Sequence, residues 1–228
     1  GEAEEMASDI QLTTDGGMLL TGTTRSFGAG GSDIYLVKVD NVGQIEWAQT
    51  FGSELDEEGY AARELAQGGC LVLGAALHAG SAYLSMDPDI SLTAVDRDGK
   101  LVWTKTLEKE GVQSGFRMTK IGEDYLIAGM QSDSGEAADT DPLLLRVDTA
   151  GNILWERSYP GEDTFDYLSN LIWNGSEIIA TGLWSGSGQG GVLWMSVDEE
   201  GQVLSRNILA QQAGDLVGKL RAELVQRP

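Results

Sequence analysis

One short signature occurs four times along the chain: an apolar run closing in Val-Asp, two unrestricted positions, a Gly, and an aliphatic residue two places before a Trp. The copies are Val39-Asp40 to Trp47, Val95-Asp96 to Trp103, Val147-Asp148 to Trp155, and Val197-Asp198 onward with Ser205 in the Trp position. Their glycines, Gly43, Gly99, Gly151 and Gly201, are 56, 52 and 50 residues apart. A second marker, an apolar run closed by Gly, recurs in phase at Gly22, Gly74, Gly129 and Gly182. Two markers in register mean one supersecondary unit copied and stacked.

Each unit reads as four short strands, here called a to d. Strand a falls near 9–12, 60–65, 116–121 and 167–172, and turns into strand b through Asp15-Gly16-Gly17, Gly68-Gly69, Gly122-Glu123-Asp124 and Asn174-Gly175. Such pairs supply the positive φ angles of hairpins. Strand b (18–21, 70–73, 125–128, 178–181) and strand c (34–39, 90–95, 143–147, 192–197) are apolar on nearly every residue. Strands covered on both faces read this way. Strand d carries Glu46, Gln49, Lys105, Glu156, Arg157 and Arg206, which suits an outer edge blunted by charge.

The c-to-d turn gives the signature its chemistry. An Asp accepts hydrogen bonds from backbone just ahead of it, and a Gly three residues on takes the left-handed conformation of a type I turn with a bulge. Asp40, Asp96, Asp148 and Asp198 are therefore expected to be turn residues. Trp47, Trp103 and Trp155, one per unit, are expected to pack against the neighbouring unit. Four-stranded antiparallel units with buried middle strands and a polar outer strand are the requirement of a β-propeller blade. The expected fold is all-β: four blades (about 1–53, 54–107, 108–160, 161–209), closed alone or as part of a larger ring, followed by a short C-terminal helix (210–228).

The stretch from Thr23 to Asp40, a Gly-rich linker running into Asp33-Ile34-Tyr35-Leu36-Val37-Lys38-Val39-Asp40, resembles the bacterial and archaeal cell-surface β-propeller repeat. The Asp-x-x-Gly-x-aliphatic-x-Trp signature is also similar to the docking motif of quinoprotein-type propellers, although the adjacent cysteine pair typical of quinoprotein enzymes is absent. The resemblance covers residues 1 to about 208. It implies an exported protein, at the cell surface, outside the cell or in the periplasm.

Four units leave the ring open to three solutions: closure alone, pairing with a second chain as a homodimer, or membership of a longer array. Ser205 in the Trp position suits a terminal repeat, and Gly1 entering a strand-a pattern with no leader or start Met suits a trimmed chain. Beyond the array, Leu216, Val217, Leu220, Leu224 and Val225 fall at helical spacing. This predicts a helix on the propeller flank, or a dimer contact or plug.

A net charge of -21 argues against nucleic-acid and anionic-membrane partners, which need clustered Lys and Arg. No apolar run is long enough for a membrane-spanning helix. A single cysteine, Cys70, precludes an internal disulfide and reads as a small core residue. Much of the acid lies on connections sharing one face of a propeller: Glu2, Glu4, Glu5, Asp33, Glu54, Asp56, Glu57, Glu58, Asp87, Asp89, Glu108, Glu110, Asp133, Glu136, Asp139, Asp141, Glu162 and Asp163, against Arg25 and Lys109. That face is expected to be solvated, or to take a cation or a basic partner. Asp133, Glu136, Asp139 and Asp141 are the candidate Ca²⁺ ligands, with no other cofactor expected. The loops holding Phe27, Tyr83, Asp87, Asp89, Ser185 and Ser187 are the candidate binding face for a protein or glycan.

Enzymatic signals are sparse. One histidine, His78, forbids a multi-His metal site. Gly186-Ser187-Gly188-Gln189-Gly190-Gly191 matches a dinucleotide fingerprint but precedes a strand instead of opening a helix. Carboxylate pairs such as Asp87 and Asp89 suit glycoside hydrolysis if placed across a cleft. The expected function is a non-catalytic exported or cell-surface binding scaffold. The alternative is a propeller enzyme acting on polysaccharide, or using a cofactor in the axial pocket.

Overall fold

The computed structural model describes residues 1–77, 88–109, 111–132, 139–161, 165–186 and 189–210. Their strands form four antiparallel sheets of four, each in simple meander order. The first blade is β1 (Glu5–Leu12), β2 (Met18–Thr24), β3 (Asp33–Val39) and β4 (Ile45–Phe51). The second is β5 (Glu57–Glu64), β6 (Cys70–Leu77), β7 (Pro88–Val95) and β8 (Leu101–Leu107). The third is β9 (Val112–Ile121), β10 (Asp124–Ser132), β11 (Asp141–Val147) and β12 (Ile153–Ser158). The fourth is β13 (Tyr167–Trp173), β14 (Ile178–Gly186), β15 (Gln189–Val197) and β16 (Val203–Ala210). No helix occurs among the described residues; the helix expected over 210–228 lies outside them, save Ala210, which ends β16.

The blades stack face to face as a β-propeller, with β1, β5, β9 and β13 on the inner side, where β1 packs on β5, β5 on β9 and β9 on β13. Three apolar clusters fill the three seams. Leu19, Ile34 and Leu36 meet Ala62, Cys70 and Val72 in the first. Leu73, Ile90 and Leu92 meet Ile127, Leu143 and Leu145 in the second. Leu126, Ala128 and Leu144 meet Ala180, Leu193 and Met195 in the third. Burial on both faces explains why β10 is apolar without alternation from Tyr125 to Met130. The end blades lack this cover: among the described residues β1 and β13 share no comparable contact. Ile10, Leu12 and Ile45 on the first blade, and Ile172 and Val192 on the fourth, are exposed.

Both repeat markers have physical causes. In the c-to-d turn, Asp40 Oδ1 accepts hydrogen bonds from the Val42 and Gln44 amides at 2.9 and 2.8 Å. Asp96, Asp148 and Asp198 repeat the pattern with the amides two and four residues on. Gly43, Gly99, Gly151 and Gly201 then take φ of 83°, 76°, 71° and 78°, a region that L side chains enter only with strain. The strand-b glycines answer a different need. Strand a carries a bulge opposite each of them, and the carbonyl just before the bulge presses on the glycine Cα. A Cβ on Gly22, Gly129 or Gly182 would collide with the carbonyl oxygen of Met6, Ser114 or Tyr167, and one on Gly74 would lie 2.6 Å from that of Glu58.

Cys70 is fully buried in the first seam, and burial, with a smaller contribution from the Glu64 charge, pushes its thiol up to about 12. The thiolate is the reactive species. The folded protein is therefore expected to resist a disulfide reagent at pH 8 and to react with one equivalent once unfolded in denaturant. Rapid labelling of the native protein would show that the seam opens.

Candidate functional site

The sheet registers set side chains from each blade in equivalent places on the loop face. At the top of strand a stand Glu5, Glu57 and Gln113, paired with Thr24, Ala76 and Gln131. Asp166, just before β13, has the same offset in the fourth blade. At the top of strand c stand Asp33, Asp89, Asp141 and, in the fourth blade, Gly191. Several of these acids lie beneath the surface: Asp33 and Asp89 are 1% exposed and Asp166 is 0% exposed. Burying a charge requires hydrogen bonds or a counter-charge. Asp33 accepts from the Ala29 amide, and Glu57 from the amide and hydroxyl of Ser53 at 2.9 and 2.5 Å. Asp166 accepts from the Ser185 amide and faces the Arg206 guanidinium at 3.4 Å. Asp33 and Glu57 converge on Gly52, where a Cβ would collide with Asp33 Oδ1 and lie 2.6 Å from Glu57 Oε2.

Above this buried layer, a hollow of about 580 Å³ opens between Glu4, Arg25, Gly31 and Asp56. Glu4 and Arg25 also line the adjoining small hollow, with Met6, Thr23, Ser32 and Glu58. Three carboxylates and one guanidinium thus line two adjoining hollows, together a depression at the junction of the first two blades, with Asp56 in one and Glu58 in the other. Asp56 is held by the Ser32 amide and hydroxyl at 2.7 and 2.9 Å. Glu58 accepts a hydrogen bond of 2.8 Å from the Tyr60 hydroxyl.

Tyr60 begins a row of rings. It meets Phe116 edge-on at 6.0 Å between centroids, Phe116 meets Tyr167 at 5.7 Å, and Tyr167 meets Phe165 at 5.8 Å. All four are half-buried, and they run from blade to blade along β5, β9 and the start of β13. Tyr60 and Phe116 are the unpaired residues of their strand-a bulges, and a bulge re-aims the side chain it carries. The same irregularity that demands a glycine on strand b therefore turns a ring toward the inner side.

The residues singled out from the sequence fare unevenly. Asp133, Glu136, Tyr83, Asp87, Ser187 and His78 lie outside the described residues. Asp139 is exposed, and Asp141 accepts a hydrogen bond from the Gly161 amide. Among the described residues no group of three or more His, Cys, Asp or Glu is placed to hold a metal ion. Phe27 is exposed, its ring 6.2 Å from that of Tyr35, whereas Asp89 is buried. Ser185 serves Asp166 through its amide. Sequence reading missed Asp166 and the whole ring row. Aligning the repeats on the strand-b glycine sets Asp166 level with Gln113 but one residue off Glu5 and Glu57, so the equivalence emerges only from the strand pairing.

No protein-family model matches the sequence, and neither does any curated protein. Among solved structures, the chain is similar to an α-L-arabinanase of Penicillium chrysogenum complexed with arabinobiose. The TM-score is 0.57 at 10% identity, over 88% of this chain and 65% of that one. A GH32 β-fructofuranosidase of Bombyx mori also matches, with TM-score 0.47 and 12% identity over 90% of this chain and 48% of that one. So does a GH43 endo-arabinanase from Bacillus licheniformis, with TM-score 0.30 and 11% identity over 87% and 96%. The chain thus spans less than two thirds of the length of the first two. The expectation of a non-catalytic scaffold is corrected by the first of these likenesses: a fold shared with an α-L-arabinanase sides with the alternative of a propeller enzyme on polysaccharide. The likeness supports a propeller repeat and goes no further toward a cell-surface or quinoprotein-type family. At such identity it establishes the architecture alone, four blades of a β-propeller.

Proposed function

We propose that the chain belongs to a carbohydrate-acting propeller, engaging polysaccharide on the loop face between its first two blades. The observation that carries this reading is the row of rings leading to the carboxylates: Tyr60 both opens the aromatic row and hydrogen-bonds Glu58. The C–H face of a sugar ring packs on an aromatic side chain while its hydroxyls hydrogen-bond carboxylates and guanidinium. Mixed apolar and polar lining of this kind is what orients a ligand in a pocket.

Glycoside hydrolysis needs two carboxyl groups, one protonating the leaving oxygen and the other activating water or attacking the sugar. On this reading Glu58 is the proton donor, oriented by the Tyr60 hydroxyl, and Asp56, fixed by Ser32, is the partner carboxylate. Arg25 binds sugar hydroxyls or a ring oxygen beside Glu4. Likeness in fold to the arabinanase supports a furanoside- or pyranoside-containing polymer as substrate class. Trp47, Trp103 and Trp155 have no cofactor role in this scheme; they pack against Gly99, Gly151 and Gly201 of the next blade.

Release of reducing sugar from arabinan, levan and xylan tests the proposal. The wild type is expected to act on at least one polymer, and Glu58→Gln and Asp56→Asn are each expected to lower kcat about 100-fold with Tm unchanged. Full activity in both variants, or neither hydrolysis nor retardation of the wild type in gels containing these polymers, would overturn it.

A further inference from the structure

A second cleft, sharing no lining residue with the loop-face depression, lies in the seam between the first and second blades. Its volume is about 710 Å³, within the range of small-molecule sites and room for about 20 waters. The repeat shows how it arises. Leu143 and Leu145 of β11, and Leu193 and Met195 of β15, fill their seams and are fully buried. The equivalent residues of β7 are Ser91 and Thr93, each two and four residues before the same Val of the signature. Two aliphatic side chains are thus exchanged for hydroxyls, and the space they would fill stands open.

The exchange leaves hydroxyl-bearing residues in the lining of the cleft. Ser91 is 3% exposed and its Oγ has no hydrogen-bond partner among the described residues; an orphaned buried hydroxyl is costly, and native interiors seldom keep one without a ligand or water. Thr93 Oγ1 lies 3.2 Å from Thr104 Oγ1, and Thr106 continues the hydroxyl wall. Phe51 and Ile34 supply the opposite, apolar wall, and Glu57 and Glu108 line the cleft as well. Two carboxylates against the single Lys100 disfavour an anionic ligand. A hydroxyl wall disfavours a purely apolar one.

We infer that this cleft is a second binding site, for a neutral sugar unit, whose hydroxyls meet Ser91, Thr93 and the two glutamates while its C–H face lies on Phe51. The inference is independent of any activity at Glu58.

Titration calorimetry and amide NMR with arabinobiose, sucrose and cellobiose as probes test it. At least one disaccharide is expected to bind the wild type and shift amides of Ser91–Thr93 and Thr104–Thr106, whether or not Arg25 and Tyr60 also respond through the loop face. Glu58→Gln is expected to bind equally well, which separates this site from the loop face. The double variant Ser91→Leu/Thr93→Leu restores the residue class of the other seams and is expected to lose at least about 10-fold in affinity while Tm rises. Ser91→Ala removes only the hydroxyl and is expected to weaken binding about threefold without lowering Tm. No binding of any probe by the wild type, or wild-type affinity in a folded Ser91→Ala protein, overturns the site.

Discussion

Gly129→Ala is expected to be among the most destabilising additions of a single methyl group at a described position. The Cβ would collide with the carbonyl oxygen and carbon of Ser114 and lie 2.9 Å from the Gly115 Cα. These are backbone atoms of β9, so no rotamer change relieves the contact. Relief requires β9 to move off β10, which breaks the ladder at the bulge and disturbs Ile127 and Met118 in the second seam. Overpacking against side chains costs about 1–3 kcal/mol. Against fixed backbone the expectation is about 3 kcal/mol or more, a fall in Tm of about 6–12 °C for a chain of this size. Gly122→Ala is the control. Gly122 also has positive φ, at 58°, but nothing lies within 4 Å of its Cβ position, so only strain of about 1 kcal/mol is expected. Thermal melts of both variants check the comparison. Equal melting temperatures would mean that the bulge carbonyl does not govern the strand-b glycine.

That contrast shows what the sequence could and could not reveal. The Asp-x-x-Gly turn is local, its donors and acceptor lying within four residues, so its chemistry can be read from the chain directly. The strand-b glycine recurs visibly, but its cause sits on another strand, in a bulge that exists only once β1, β5, β9 and β13 have paired. The ring row was hidden for a related reason. Tyr60 and Phe116 occupy the bulge position, whereas Tyr167 lies two residues before it, the bulge residue of the fourth blade being Ser169. The rings meet in space without recurring in phase. The acids were counted from composition and loop position, which say nothing of depth. Asp33, Asp89 and Asp166 turn out to be buried, while Glu58 and Asp56 line the open depression. Function was misjudged through the same blindness: without the rings beside Glu58, the loop face reads as charge alone.

Trp155→Ala is expected to loosen the fourth blade selectively. The indole Nε1–H donates to the Glu199 carbonyl at 3.0 Å, across the seam and within the next c-to-d turn. Its ring covers Gly201, where a Cβ would stand 3.1 Å from the ring edge, and the Arg157 guanidinium lies 5.8 Å from the ring centroid. Truncation removes the apolar area, the hydrogen bond and the cation-π contact together. Loss of a large aromatic side chain from a core costs about 3–5 kcal/mol, and Trp155 is half-buried, so about 3 kcal/mol is expected. Trp155→Phe keeps most of the area and loses the N–H, with an expected cost of about 1 kcal/mol. In a stacked array each unit contacts only its neighbours, so weakening one seam separates what lies beyond it. Among the described residues nothing comparable holds the fourth blade on its far side. Ser205 stands there in place of a Trp, and the first blade's Gly43 has no atom within 4 Å of its Cβ position. Urea unfolding followed by fluorescence is therefore expected to change from one transition to two in Trp155→Ala, the earlier step belonging to the fourth blade. Hydrogen exchange should then show β13 to β16 opening before β5 to β12. A single transition at the wild-type midpoint would mean that the apolar cluster around Leu193 and Met195 holds this seam without the indole.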